Sequence, residues 1–370
     1  MNYLVFIPVV TSVLLAFFGL HYGIYSFLTH FFPVFSSHKT AWAWAIASLS
    51  VSFFAASFLA HFMDNAFSRG LYFLSGVWMG TFVNILLAML ATGIALLVVR
   101  SVSFPVNGSI IAGAFFVIAL LASAYGVWNA MHPRIQNIVV TIPNLPEEWK
   151  DKKIVQISDV HIGHVYREEY LRKAVGMINT QDPKLVVVTG DLFDGMDGGL
   201  FDLVKPLDDV RAEDGVLFVD GNHETYLGTQ KTFDILQSTK VRILRDEVID
   251  IDGLSFIGIM YPERGERKSV VDTLKKLRPE YDGKPNVLLH HAPSMVEEVA
   301  KEGVNLQLSG HTHRGQQFPF QFVTHFVHKG YDYGLYRIGE YTLYTSSGLG
   351  TWGPSMRIGT QSEIVVITLQ

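Results

Sequence analysis

The chain has 370 residues, a formal net charge of −5, a mean hydropathy of +0.26 and no cysteine. Disulfides and thiolate metal sites are therefore excluded, and any bound metal must rest on nitrogen and oxygen ligands. Residues 1–130 carry just Lys39, Arg69, Arg100 and Asp64, so the −5 combines +2 there with −7 beyond, an acidic balance with no basic stripe for nucleic acid.

Four apolar stretches open the chain, at 3–25, 41–62, 72–99 and 109–128. Each is near the ~20 residues that a bilayer-spanning helix needs, which predicts a four-helix transmembrane module over residues 1–130 and an integral membrane protein. The first stretch has no Lys or Arg before its apolar run and three similar stretches follow, which favours a span over a signal peptide. Trp42, Trp44, Trp78 and Trp128 lie at or near the ends of these stretches, where aromatic belts form. An even number of spans puts the N-terminus, the 64–69 loop and the C-terminal part on one side. That side has Arg69, Arg134, Lys150, Lys152 and Lys153 against Lys39 and Arg100, so the positive-inside rule predicts a cytoplasmic C-terminal domain. His21 and Asn84 fall within spans, where hydrogen bonding between helices is the simplest reading.

Residues 131–370 read as a separate domain. The stretch 135–142 predicts a first strand, ended by the turn Pro143-Asn144-Leu145-Pro146. Apolar, β-rich runs then alternate with amphipathic stretches at 168–179, 203–210, 232–236 and 270–277, which predict helices. Two hairpins are expected, 247–251 with 254–259 around Asp252-Gly253, and 335–338 with 341–345 around Gly339-Glu340. Strands with intervening helices, followed by late hairpins, predict a mixed α+β and α/β architecture of two sheets packed face to face with helices outside.

Five of the apolar runs end in polar clusters. They close in Ser158-Asp159-Val160-His161, in Thr189-Gly190-Asp191-Leu192-Phe193-Asp194, in Asp220-Gly221-Asn222-His223-Glu224, in His290-His291-Ala292-Pro293 and in Ser309-Gly310-His311-Thr312-His313. Taken alone, each has an ordinary reading as a turn or a helix cap. Two histidines flanking one residue after a buried strand are costly unless they are used. Together the five clusters deliver ligand-type residues to the C-terminal ends of strands, where open α/β sheets place their ligands. Asp159, His161, Asp191, Asn222, His291, His311 and His313 exceed what one metal takes. A site with two metals ~3.5–4 Å apart, sharing a carboxylate, would use them all. Imidazole with carboxylate suits Mn, Fe or Zn better than Ca or Mg.

In this order the motifs resemble the calcineurin-like metallophosphoesterase superfamily, over residues 135–370. Gly334-Leu335-Tyr336, Ser347-Gly348-Leu349-Gly350 and Arg357 are similar to its bacterial membrane-associated branch, while the apolar module lies outside the resemblance. The resemblance implies a four-layer αββα sandwich, a bacterial inner-membrane location and two divalent metal ions, with Mn favoured over Fe or Zn. Asp159, His161 and His313 would hold one ion, Asn222, His291 and His311 the other, and Asp191 would bridge them. A bridging water or hydroxide would attack phosphorus in line. His223 would protonate the leaving oxygen or steady the phosphoryl charge, and Asp194 would orient a ligand. A His-x-Pro pattern selects His291 over His290, and Arg357 would serve either phosphate contact or packing.

The expected activity is hydrolysis of a lipid-linked or membrane-proximal phosphoester or pyrophosphate, with membrane lipids as partners. Some members of the resembling group cleave the pyrophosphate of UDP-2,3-diacylglucosamine. The aromatic segment Phe318-Pro319-Phe320-Gln321-Phe322 with Phe326 would either dip into the interface and admit a lipid tail or form a core hairpin. The alternatives are a membrane-anchored phosphodiesterase with a soluble substrate and a non-catalytic metal-binding sensor.

Overall fold

The computed structural model describes residues 3–102, 105–196 and 199–370. They divide into two compact units, one holding the long helices together with Gly353–Ser355, the other holding the sheets together with His61–Asp64.

The helical unit contains α1 (Tyr3–Phe31), the short α2 (Pro33–Ser36), α3 (Lys39–Phe62), α4 (Ala66–Ser101) and α5 (Gly108–Ala130). Four of these helices are long and apolar enough to cross a membrane. Helix α4 outruns its apolar stretch because a cap sets where it starts. The Asn65 side chain accepts from Ser68 N, and Ser68 Oγ accepts from Asn65 N. This reciprocal cap starts α4 at Ala66 and puts Arg69 in its first turn instead of a loop. Inside the unit, Ile24, Phe27, Phe82 and Ile85 form part of the apolar core. Both polar residues expected within spans bond between helices. Trp78 Nε1 donates to His21 Nε2 at 3.3 Å, and Asn84 Nδ2 donates to Ser123 Oγ at 2.8 Å. An indole can only donate, so His21 Nδ1 carries the proton given to Phe17 O, 3.0 Å away.

Among its described residues the sheet unit has twelve strands: β1 (Arg134–Val140), β2 (Lys153–Ile157), β3 (Leu185–Thr189), β4 (Val216–Val219), β5 (Val241–Ile243), β6 (Glu247–Ile251), β7 (Leu254–Gly258), β8 (Asn286–Leu289), β9 (Leu306–Ser309), β10 (Gly334–Ile338), β11 (Tyr341–Thr345) and β12 (Glu363–Leu369). They form two mixed six-stranded sheets, in the orders β1-β12-β2-β3-β4-β5 and β10-β11-β9-β8-β7-β6. Both expected hairpins are present, as β6/β7 and β10/β11. The helices of this unit are α6 (Glu168–Asn179), α7 (Leu200–Leu203), α8 (Asn222–Leu227), α9 (Thr229–Leu236), α10 (Val270–Tyr281), α11 (Val296–Val299) and α12 (Phe320–Val327).

Strand periodicity explains the layering. Val155, Ile157, Val186, Val188, Val216 and Phe218 join a core with Leu171, Val175 and Phe233 of the helices. Their neighbours Ile154, Leu185, Val187, Leu217 and Val219 face Phe256, Val287 and Leu308 of the second sheet. Alternate residues of one strand therefore serve different cores, and the strands read as unbroken apolar runs. A third core sets Ile257 and Leu288 against Val271 and Leu274 of α10. The result is the expected four-layer αββα sandwich.

Three expectations change. The 203–210 stretch is no α-helix, since a single helical turn ends at Leu203 and a 3-10 turn follows at Lys205–Asp209. Strand β12, absent from the expectation, lies parallel to β1 and antiparallel to β2. The Phe318–Phe326 segment is a turn that leads into helix α12, which has no buried residue, and not a core hairpin.

Candidate metal centre

The chain leaves β2, β3, β4, β8 and β9 at the same edge of the sandwich, because each of these strands runs parallel to at least one of the others in its sheet. The turns there are tight. Asp159, His161, Asp191, His311 and His313 have φ of 52°, 52°, 50°, 73° and 48°. Left-handed backbone costs a non-glycine residue roughly 1–2 kcal/mol and gathers at functional sites. Here it bends each chain back just after its strand, so that side chains from both sheets meet.

They meet in two groups. Asp159 Oδ1 lies 3.3 Å from His313 Nε2, which lies 3.0 Å from His161 Nε2. In the second group Asp191 Oδ2 lies 3.1 Å from His291 Nε2, and His291 Nε2 lies 3.3 Å from His311 Nδ1. Asp191 Oδ2 is also 4.0 Å from His161 Nε2, so one carboxylate oxygen reaches both groups. Asn222 opens α8, and its Oδ1 is buried with no hydrogen-bond partner. His290 turns away, with Nδ1 3.3 Å from Ile259 O, and only His291 joins the cluster.

The surroundings fix which ring atoms are available. A carbonyl only accepts, so His291 Nδ1 donates its proton to Thr189 O at 2.8 Å, which turns Nε2 towards Asp191. In the same way His223 Nδ1 donates to Asp194 O at 2.9 Å, which leaves Nε2 free for proton transfer. Asp159 is buried and accepts from Ser158 Oγ at 2.6 Å and from His311 N at 3.0 Å. Asp191 Oδ1 accepts from His223 N at 2.9 Å, which reserves Oδ2 for the cluster.

Charge is strongly divided. Burial alone would lower His291, but the carboxylates of Asp191 and Asp159 outweigh it and push its imidazole up to about 10. Burial and the His291 charge press His311 down to about 3, and burial also lowers His161 and His313. Burial would raise Asp191, but His291 outweighs it and holds the carboxyl well below the usual range. Three imidazoles, His161 and His313 buried and His311 half-buried, are thus kept neutral, and the Asn222 carboxamide oxygen is buried without a partner. That donor set suits a cation better than protons, and nitrogen with carboxylate oxygen fits Mn, Fe or Zn. Among the described residues three groups could hold such ions, two of them sharing His161: Asp159 with His161 and His313, His161 with Asp194 and His223, and Asp191 with His291 and His311.

Asp194 stands 3.5 Å from His161 Nδ1, and burial pushes its carboxyl up to about 7. Arg357 departs from one of its two expectations. It is fully buried and donates to Ser347 O and Gly350 O, both at 2.6 Å, so it reaches no substrate phosphate. It also lies 3.2 Å from His313 Nδ1, and it fastens the 347–350 loop behind the site.

Two residues with structural roles here escaped the sequence reading. Glu224 Oε2 accepts from Asp191 N and Gly221 N, and its Oε1 accepts from Phe193 N, which buckles the β3 and β4 turns together. Burial and the nearby Asp191 raise its pKa. The three-residue spacing from Gly221 to Glu224 was the available signal, since it is that of a capping box. Gln156, in the middle of β2, donates to Thr189 Oγ1 and to Ser309 O and so joins the two sheets beneath the site.

Comparison with known proteins places this geometry in context. Residues 152–315 match the calcineurin-like phosphoesterase family. An uncharacterised metallophosphoesterase of Campylobacter jejuni is 36% identical over 241 residues, covering 64% of this chain and 63% of its own length. An Aquifex aeolicus metallophosphoesterase is 31% identical over 68% of this chain and 98% of its own length. A Danio rerio transmembrane protein with a metallophosphoesterase domain is 31% identical over 70% of this chain and 62% of its own length. The chain thus spans less than two thirds of two of these three relatives.

Proposed function

Because the chain belongs to the calcineurin-like phosphoesterase family, we propose that it hydrolyses a lipid-linked or membrane-proximal phosphoester or pyrophosphate with two divalent ions, Mn in preference to Fe or Zn. Asp159, His161 and His313 would hold one ion, Asn222, His291 and His311 the other, and Asp191 would serve both. The reading rests above all on Asp191 Oδ2, placed 3.1 Å from His291 Nε2 and 4.0 Å from His161 Nε2. Divalent ions at such a site supply positive charge against phosphoryl oxygens and lower the pKa of a water.

The chain's own part is positioning and proton movement. Asp191 Oδ1 holds the His223 backbone, and the Asp194 carbonyl holds His223 Nδ1, so the ring presents Nε2 to the leaving oxygen. Burial lowers the His223 pKa and makes its proton easier to give. The Asp194 carboxyl, beside His161 Nδ1, steadies that ring. Four helices long and apolar enough to cross a membrane would keep the reaction beside lipid, which supports a membrane-proximal substrate.

The test is metal analysis of the full-length protein in lipid nanodiscs, joined to a substrate panel. The expected result is divalent metal bound to the protein, loss of turnover on chelation, recovery with Mn, and faster release of phosphate or headgroup from lipid phosphoesters than from soluble ones. His223→Ala should cost ~10²–10⁴-fold on an alkyl ester and much less on a nitrophenyl ester, whose leaving group needs no proton. Faster turnover of a natural soluble phosphodiester would instead favour a membrane-anchored phosphodiesterase. A metal-loaded protein inert on the whole panel would refute the hydrolase reading.

A further inference from the structure

Helix α12 is amphipathic the wrong way round for a soluble protein. Its polar residues bond back to the fold: Gln321 Nε2 donates to Ile358 O at 2.8 Å, Thr324 Oγ1 lies 3.5 Å from Asp332 Oδ2, and the exposed His325 has Nδ1 2.9 Å from Asp332 Oδ1. Its apolar residues face out. Phe322, Val323, Phe326 and Val327 are 70%, 56%, 85% and 63% exposed, and Phe318 and Phe320 extend the same face. Single exposed apolar residues are ordinary, but a contiguous face of this kind marks a docking surface.

We propose that this face of α12 docks into the interfacial region of a lipid bilayer. Lipid is the occupant the chain itself argues for. Its four membrane-spanning helices make a bilayer a permanent neighbour, and only residues 131–133 join the last of them to β1. So short a tether keeps lipid at high effective concentration around the sheet unit, whereas a second copy of the chain would have to be recruited. Composition agrees, because phenylalanine and valine on one face with the exposed Lys329 just beyond suit acyl chains beneath anionic headgroups.

The face also connects to the chemistry. A groove of about 300 Å³, lined by Tyr261, Pro293, Met295, His311, Val327 and Tyr331, begins at a histidine of the metal cluster and ends on α12. A lipid phosphoester lifted at the interface would have its headgroup at His311 and an apolar wall along the path of its tail. This use of the groove rests on the lipid-substrate reading above, whereas the docking itself does not.

The native chain has no cysteine, which makes single-site labelling of the full-length protein clean. Phe322→Cys and Phe326→Cys would each carry an environment-sensitive fluorophore in phosphatidylethanolamine/phosphatidylglycerol vesicles doped with spin-labelled lipid. Lys284→Cys is the control, since Lys284 is exposed at the start of β8, the end opposite the metal cluster. The expected result is a blue shift and roughly twofold lipid quenching at 322 and 326, strongest with a shallow spin label, and little change at 284. Equal quenching at all three positions, or none at 322 and 326, overturns the proposal. So does a blue shift that follows protein density without lipid quenching, which would identify a second copy as the occupant. The readout needs no turnover, so an inert enzyme with a quenched α12 and an active enzyme with an unquenched one remain distinct results.

Discussion

Asp191 divides its two oxygens between different duties. Oδ1 accepts from His223 N, and Oδ2 reaches His291 and His161. Replacing either oxygen by an amide NH2 leaves one of those duties unmet. Asp191→Asn should therefore lower kcat by more than the ~10–100-fold typical of residues that only support a ligand, and by more than His313→Ala, whose loss touches a single group. Paired measurements of kcat and bound metal check this. A larger loss for His313→Ala with metal content unchanged would show that Asp191 is not the shared group. The residues of this cluster were legible in the sequence because each follows directly on an apolar run. Glu224 and Gln156 were not, since nothing in a residue type says that its side chain will be buried against backbone amides or between two sheets. Arg357 was left open for the same reason, because only the fold shows that its guanidinium is spent on the 347–350 carbonyls.

At the scale of elements, the strands that carry the site were readable because they are buried on both faces and so unbroken in sequence. Strand β12 was missed although equally apolar, since its place between β1 and β2 is set by pairing across more than two hundred residues. Helix α12 could not be told from a hairpin, because its apolar residues follow a helical period while facing away from any core. The turns between strand and ligand explain some of the glycines. Gly221 has φ of −120°, which any residue could adopt, yet a methyl group there would collide with Asp191 Oδ1 and come within 2.8 Å of His291 Cδ2. Gly303 has φ of +80° with open space around it. The two substitutions should separate packing from backbone strain. Gly303→Ala should cost about 1 kcal/mol of stability and leave kcat and metal content unchanged. Gly221→Ala should reduce both by displacing Asp191. If Gly221→Ala retained full metal and full kcat, the closeness of these two turns would not be what positions the carboxylate.

For the whole molecule, the proposed lipid substrate makes sidedness matter, and the sparse charge of the helical unit bears on it. Were all four helices to span, the 63–65 turn and the sheet unit would share one side, opposite the ends that carry Lys39 and Arg100. Arg69, now in the first turn of α4, still lies close to that first side, together with Arg134, Lys150, Lys152 and Lys153, against Lys39 and Arg100. Lys and Arg near span ends set orientation, and acidic residues contribute little, so the −7 of the C-terminal part does not counteract them. The sheet unit should face the cytoplasm and draw on the inner leaflet. In right-side-out membrane vesicles, an impermeant maleimide should label Ser37→Cys directly and Lys240→Cys only after permeabilisation, both sites being exposed. The reverse pattern would place the metal cluster on the outer side, where the lipid phosphoesters within reach of α12 would be those of the opposite leaflet.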